Sequence, residues 1–406
     1  MRDSKLGMGM SAGGGTRREK WIRRNFPTVA DLRERARRRI PGFAFEYADC
    51  GVGLDLNVRA NRSALDAVEL VPRCGNDRED ISTEVALFGR RYAAPLGIAP
   101  MGLPSMIWPG GELALGKAAQ RARIPYTVGC VGGCSIERLG EAAPDVLWFQ
   151  LYRVARDDHK VGIDLIKRAK QAGAHVLVLT LDVPTRSKRP REMRNRLAVP
   201  FQPGPRTIYE VATSPAWLMA LVRNGQPDFV NMGPYAGSGR GAIADFVTRE
   251  LGGSFTWDEV KRYRDVWKGP LVVKGVLHPD DARRAVAAGV DGIQVSNHGG
   301  RQFEAAPAAI DVLPAIAEAV GDKATILFDS GVRSGIDVLR ALALGAQAAL
   351  AGRPFLYALA ALGDEGADYV IDLLIEEIRT ALRQAGLRSA GEAGSLTVRH
   401  PAALQF

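Results

Sequence analysis

The chain holds only four cysteines, Cys50, Cys74, Cys130 and Cys134, and no two of them form a C-x-x-C pair. Their spacing suits neither a zinc site nor a dense disulfide framework, which points to a reducing, cytoplasmic compartment. No run approaches the roughly 18 uninterrupted apolar residues of a spanning helix. The basic start (Arg17, Arg18, Lys20, Arg23, Arg24) lacks the apolar core of a signal peptide, and residues 1–20 read as a disordered basic tail. No G-x-S-x-G elbow follows an apolar run, which argues against esterase chemistry. The G-x-G triplet most worth noting, Gly237-Ser238-Gly239, follows no strand and does not support a dinucleotide-binding sheet. The net charge of +9 is dispersed, with no zinc finger, RNP-like aromatic motif or basic heptad helix, so nucleic acid is not an expected partner. The surplus fits a basic N-terminal segment. It equally fits an anionic substrate, a phosphate-bearing cofactor or an acidic membrane surface.

What is present is a rhythm. Eight short apolar runs recur: 94–100, 125–130, 147–151, 176–182, 271–276, 292–297, 325–331 and 348–353. Between them lie stretches of helical period such as 111–123, 163–172, 279–288 and 335–344. Strands apolar throughout and alternating with helices imply a parallel sheet covered on both faces. Eight repeats predict a closed (β/α)8 barrel with an N-terminal helical segment, occupying 21–390, with a doubly wound sheet as the alternative. Residues 391–406 read as a C-terminal tail. The interval 197–255, after strand four, breaks the rhythm with Pro200, Pro203, Pro205, Pro215, Pro227 and Pro234, and reads as an irregular insert. Within it, Trp217–Arg223 is an apolar patch with a basic end. It either docks on its own protein or lies in a membrane interface.

Polar residues cluster where the runs end, at the barrel mouth where catalytic groups sit. The loop after strand six reads Ser296-Asn297-His298-Gly299-Gly300-Arg301-Gln302. A histidine can take a proton from a hydroxyl, and an arginine three residues on can hold a carboxylate. A base beside a carboxylate clamp suits oxidation at the carbon next to an acid group. Asp182, ending strand four, is either a helix cap or the carboxylate that orients His298. Lys274 ends an apolar run, where it either leaves the mouth to meet a carboxylate or sits beside an anionic cofactor ring. The loops around strands seven and eight carry Asp329, Gly331, Arg333, Gly352 and Arg353, a phosphate-site pattern.

At these residues the sequence resembles the FMN-dependent L-2-hydroxy-acid oxidases and dehydrogenases. The motifs are S-N-H-G-G-R-Q, D-S-G-V-R with G-R-P-F-L-Y, W-F-Q-L-Y, L-V-V-K-G-V and Ile40–Tyr47, spread from about Phe26 to Leu387. The resemblance implies FMN as cofactor and His298 as base, with Asp182 behind it. It implies Arg189 and Arg301 on the substrate carboxylate, and Tyr47 and Tyr152 on carboxylate and hydroxyl. Lys274 would face the flavin N1/O2 edge, and Pro100, Met101 and Gly102 its N5 side. Gln150, Thr180, Ser296 and the residue at Cys130 would bond the ring, while Asp329, Gly331, Arg333, Gly352 and Arg353 would hold ribityl and phosphate. It also implies a homotetramer. Three positions depart from the family. Cys130 replaces a usual Ser or Thr, Arg189 lies in a variant R-x-x-D stretch where Arg191 is the alternative, and Glu304 stands where Asp is common. Gly102 and the long insert resemble the membrane-associated lactate and mandelate dehydrogenases. They favour a quinone or another carrier over O2 as electron acceptor, and a peripheral position on the inner face of the membrane.

Overall fold

The computed structural model describes residues 16–75, 80–197, 203–237, 241–250 and 252–406. Eight parallel strands close into a barrel in chain order: β1 (Leu96–Ile98), β2 (Tyr126–Gly129), β3 (Leu147–Leu151), β4 (Val176–Thr180), β5 (Leu271–Val276), β6 (Gly292–Val295), β7 (Thr325–Phe328) and β8 (Ala348–Ala351). The seam closes where Ala349, Leu350 and Ala351 of β8 pair with Leu96, Gly97 and Ile98 of β1. Helices cover the outside and side chains fill the inside, so the strand residues are almost all buried. This is why the strands read as continuous apolar runs rather than alternating ones. The expected doubly wound alternative is set aside by the closure. Six of the eight strands stop short of their apolar runs at the mouth, where Asp182, Ser296 and Asp329 belong to the loops, whereas Gln150, Thr180 and Lys274 lie within strands.

A hairpin of Val85–Leu87 and Arg90–Tyr92 packs beneath the barrel, where the Trp148 indole N–H donates to Tyr92 Oη at 3.0 Å. The 21-residue helix Glu365–Ala385 packs against Gly335–Ala343 and Gly111–Ala122 on the flank. At the opposite end the N-terminal helix Gly42–Asp49 lies across the mouth. The Arg353 guanidinium pins it there by donating to the Ala48 carbonyl at 3.1 Å and the Cys50 carbonyl at 2.8 Å.

Three expectations about the flanks are corrected. Residues 17–20 are not a loose tail: Arg17–Asn25 is a helix, opened by a reciprocal cap between Thr16 and Glu19. The rest of that expected tail, residues 1–15, lies outside the described residues. The C-terminal segment is ordered as well, since Thr397–Arg399 pairs antiparallel with Glu69–Val71. The insert is helical rather than irregular, with Pro205–Ala212, Pro215–Asn224 and Ala242–Glu250. Its prolines mislead because Pro205 and Pro215 occupy first helical positions, where the missing N–H costs nothing. Trp217 and Ala220 face inward, with Trp217 meeting the Phe43 ring edge-on at 5.8 Å. Met219 and Val222 on the other face are 54% and 79% exposed.

Candidate active site

The loop after β6 sets the reactive group. His298, Gly299 and Gly300 follow one another in the left-handed region at φ 60°, 65° and 75°. That conformation is unfavourable for a histidine and is held by hydroxyls. Ser296 Oγ accepts from the His298 N–H at 3.0 Å, and Ser330 Oγ accepts from the Asn297 and Gly299 N–H groups at 3.2 and 3.0 Å.

His298 Nδ1 lies 3.0 Å from Asp182 Oδ1, and its Nε2 lies 3.4 Å from the Tyr152 hydroxyl. Burial lowers the His298 pKa below the ordinary 6.5, although Asp182 works to raise it. Burial works against the Asp182 carboxylate too, but His298 and Lys274 outweigh it, and Asp182 is held below the usual range. The pair is therefore a neutral imidazole on an ionised carboxylate, with Nε2 turned to the cavity as a proton acceptor. Gly275 gives Asp182 its place: at φ 100°, a Cβ there would stand 2.4 Å from Asp182 Cγ. Tyr47 and Tyr152 are pushed up by burial, so both remain phenol donors.

A cavity of about 240 Å³ joins these groups at the barrel mouth. Its wall includes Tyr47, Tyr152, His298, Lys274, Arg189, Arg301, Pro100, Met101 and Gly102. Asp329, Gly331, Arg333, Gly352 and Arg353 line it too. Asp182 stands behind His298. Cys130, Gln150, Thr180 and Ser296 are buried but do not line the cavity. Gln150 donates to Thr180 Oγ1 at 2.8 Å, and Cys130 Sγ accepts from the Tyr152 N–H at 3.5 Å. Burial pushes the Cys130 thiol up to about 12, which leaves it an inert packing group. Lys274 Nζ donates to Ser296 Oγ at 2.8 Å and lies 3.5 Å from Asp329 Oδ2, so a buried cation finds its counter-charge there.

Arg189 reaches the cavity, whereas Arg191 turns away onto Glu46, Asp49 and Asp55. Glu304 caps the helix Leu56–Asp66 by accepting from the Leu54 and Leu56 N–H groups at 2.6 and 3.3 Å.

Arg333 and Arg353 could hold an anion in this cavity. Arg333 and Arg353 form no ion pair with a carboxylate among the described residues. Burial, with the neighbouring Arg333 adding to it, pushes Arg353 down to about 10. Arg333 is lowered by burial as well. One buried and one half-buried guanidinium without a direct ion pair would suit a dianion. Gly331, at φ 96°, could not accept a Cβ without meeting Leu65 at 2.8 Å. Gly352 N-caps the helix Arg353–Leu362, so N–H groups converge on the same spot. A cavity at the barrel mouth that holds such a site fits a flavin mononucleotide.

The functional residues that sequence reasoning missed are Ser330, Gln294 and Glu192. Gln294 donates to Asp329 Oδ2 at 2.5 Å, and Glu192 accepts from Arg301 at 2.7 Å. The signal for Gln294 was a lone polar residue inside the apolar run of β6.

Comparison with known proteins agrees with this geometry. The family model described as FMN-dependent dehydrogenase matches residues 36–400. The chain belongs to that FMN-dependent family. It is 40% identical to a 4-hydroxymandelate oxidase of Amycolatopsis orientalis, over 92% of this chain and 98% of the relative. It is likewise 40% identical to an L-lactate dehydrogenase of Caulobacter vibrioides, over 89% of this chain and 94% of the relative. Among solved structures, a monotopic membrane protein, (S)-mandelate dehydrogenase, superposes with a TM-score of 0.86 at 34% identity, covering 92% of this chain and 99% of that one. This FMN-dependent protein is thus an enzyme of the 2-hydroxy-acid oxidase and dehydrogenase group.

Proposed function

We propose that this enzyme oxidises an L-2-hydroxy acid of lactate or mandelate type to the 2-oxo acid and passes the electrons to a quinone or another carrier. The observation that carries this reading is the convergence of the His298–Asp182 pair, the two arginines and Lys274 on one cavity. Arg189 and Arg301 hold the substrate carboxylate, and Tyr47 and Tyr152 donate to the carboxylate and hydroxyl. His298 Nε2 takes the proton, and Asp182 stabilises the imidazolium that results. Arg333 and Arg353 would hold FMN by its phosphate, and the flavin would supply a two-electron acceptor beside Lys274. Pro100, Met101 and Gly102 line its ring edge, with Gln150, Thr180, Ser296 and Cys130 behind.

A second chamber of about 700 Å³ opens from the first through Tyr47, Val131, Tyr152 and Arg189. Leu103, Met106 and Phe229 among its walls suit a substrate side chain as large as a phenyl ring.

The carrier reading draws on Gly102. A Cβ there would stand 3.1 Å from the Tyr47 hydroxyl, which itself donates to the Gly102 carbonyl at 2.9 Å. By the family resemblance, the oxidases tend to have that Cβ and the membrane-associated dehydrogenases resemble this chain in lacking it. The exposed apolar face of Pro215–Asn224, with Arg223 at its end, supports peripheral membrane contact. No helix among the described residues is long and apolar enough to cross a membrane.

The test is anaerobic mixing of the holoenzyme with a panel of L-2-hydroxy acids, followed by air. Loss of the flavin absorbance with L- but not D-acids is expected, followed by slow return in air and fast return with a quinone. No bleaching by any 2-hydroxy acid refutes the reaction. Fast return in air with release of hydrogen peroxide refutes the carrier and makes the enzyme an oxidase.

A further inference from the structure

The two arginines of the carboxylate clamp share one protein oxygen. Arg301 Nη2 donates to Glu192 Oε1 at 2.7 Å, and Arg189 Nη1 donates to the same atom at 3.1 Å. The Cys50 thiol reaches it at 3.5 Å. Arg301 Nη1 is held by the Tyr47 and Cys50 carbonyls at 2.8 and 2.9 Å. Arg189 Nε is held by Ser187 Oγ at 3.1 Å and the Arg301 carbonyl at 3.3 Å. All three charged side chains are 15–19% exposed, so water screens them weakly.

Charge counting gives the consequence. Two guanidiniums and one carboxylate leave a single net positive charge, equal and opposite to one substrate carboxylate. The 2-oxo acid product carries that same carboxylate and must leave. Two uncompensated arginines would hold it longer, and would favour a ligand with two carboxylates.

We propose that Glu192 is a positioning residue that sets the clamp to the charge of one carboxylate, selecting monocarboxylic over dicarboxylic 2-hydroxy acids and allowing the product to depart. This rests on the clamp assigned to Arg189 and Arg301 in the proposed function.

Glu192→Gln keeps the side-chain length and the acceptor oxygen while removing the charge. Calorimetry on the holoenzyme uses phenylacetate, which has no hydroxyl to oxidise, and phenylmalonate, its dicarboxylate counterpart. In Glu192→Gln, phenylmalonate binding tightens relative to phenylacetate by on the order of tenfold. In turnover, kcat and KM fall together and inhibition by the 2-oxo acid strengthens. Glu192→Asp, which keeps the charge, holds the phenylmalonate-to-phenylacetate ratio near the parent value. So does the double variant Arg189→Gln with Glu192→Gln, which restores one net positive charge. An unchanged ratio in Glu192→Gln, or equal weakening of both ligands, overturns the proposal. Should Glu192→Gln fail to fold, a ratio in the double variant far from the parent value overturns it instead. The ratio needs no turnover. If no hydroxy acid bleaches the flavin, the reaction reading falls while the charge balance is still tested.

Discussion

His298 Nδ1 and Asp182 Oδ1 meet at 3.0 Å, while the second oxygen of that carboxylate is buried with no hydrogen-bond partner among the described residues. The carboxylate is therefore committed to the imidazole and to the field of Lys274. Asp182→Asn should lower kcat/KM by about 10²- to 10⁴-fold, the range general-base catalysis spans. The acid limb of the pH profile carries the sign. Burial sets the His298 pKa below 6.5, so the base stays neutral, and activity persists, to a pH below that value before protonation removes it. Asp182 raises that pKa, so Asp182→Asn moves the limb lower still. Lys274 lowers it, so Lys274→Met moves the limb up. Steady-state rates from pH 4 to 8 check both directions.

His298→Gln should keep the yellow cofactor, because Arg333 and Arg353 are untouched. Reduction by substrate should fall by about 10²-fold or more. Stopped-flow absorbance of the flavin reads this directly, and an unchanged rate would show that another group takes the proton.

Arg353→Met removes the buried one of these two guanidiniums and also frees the Ala48, Cys50 and Gly299 carbonyls it holds. Charge-assisted bonds contribute about 1.5–3 kcal/mol each. FMN should therefore dissociate at least tenfold more readily, measured as flavin released on dialysis, with some loss of thermal stability.

Met219→Glu combined with Val222→Glu places two charges on the exposed face of Pro215–Asn224 without touching Trp217. Flotation with vesicles of anionic lipid should show binding by the parent and little by the variant. Each apolar side chain that leaves the interface forfeits about 1.5–3 kcal/mol. Hydroxy-acid oxidation with a soluble dye should be unaffected.

The barrel was legible because its strands are buried on both faces, so eight apolar runs announced themselves in the chain. The mouth was legible for the same reason in reverse, since His298, Lys274 and Asp329 end runs that otherwise tolerate no charge. The insert was misread because Pro205 and Pro215 look like breakers, although each begins a helix. Glu192 was hidden because an acid three residues after Arg189 looks like an ordinary surface pair on a helix. Only the fold brings Arg301, 109 residues away in sequence, to the same oxygen. Ser330 stands in the D-S-G-V-R motif, yet its role was hidden, since its work is done on the backbone of another loop.

The helix Gly42–Asp49 and the turn after it are made early in synthesis, yet their partners at the mouth come late. Gly300 accepts from the Val52 N–H at 2.9 Å, and Arg301 and Arg353 both hold the Cys50 carbonyl. A ribosome adding about 5–20 residues per second leaves that early segment without its partners for many seconds. The pocket therefore cannot be completed until Arg353 has been made. A truncation that removes β8 and all that follows would take away Arg353, and with it the hold on the Ala48 and Cys50 carbonyls and one of the two arginines proposed for the phosphate.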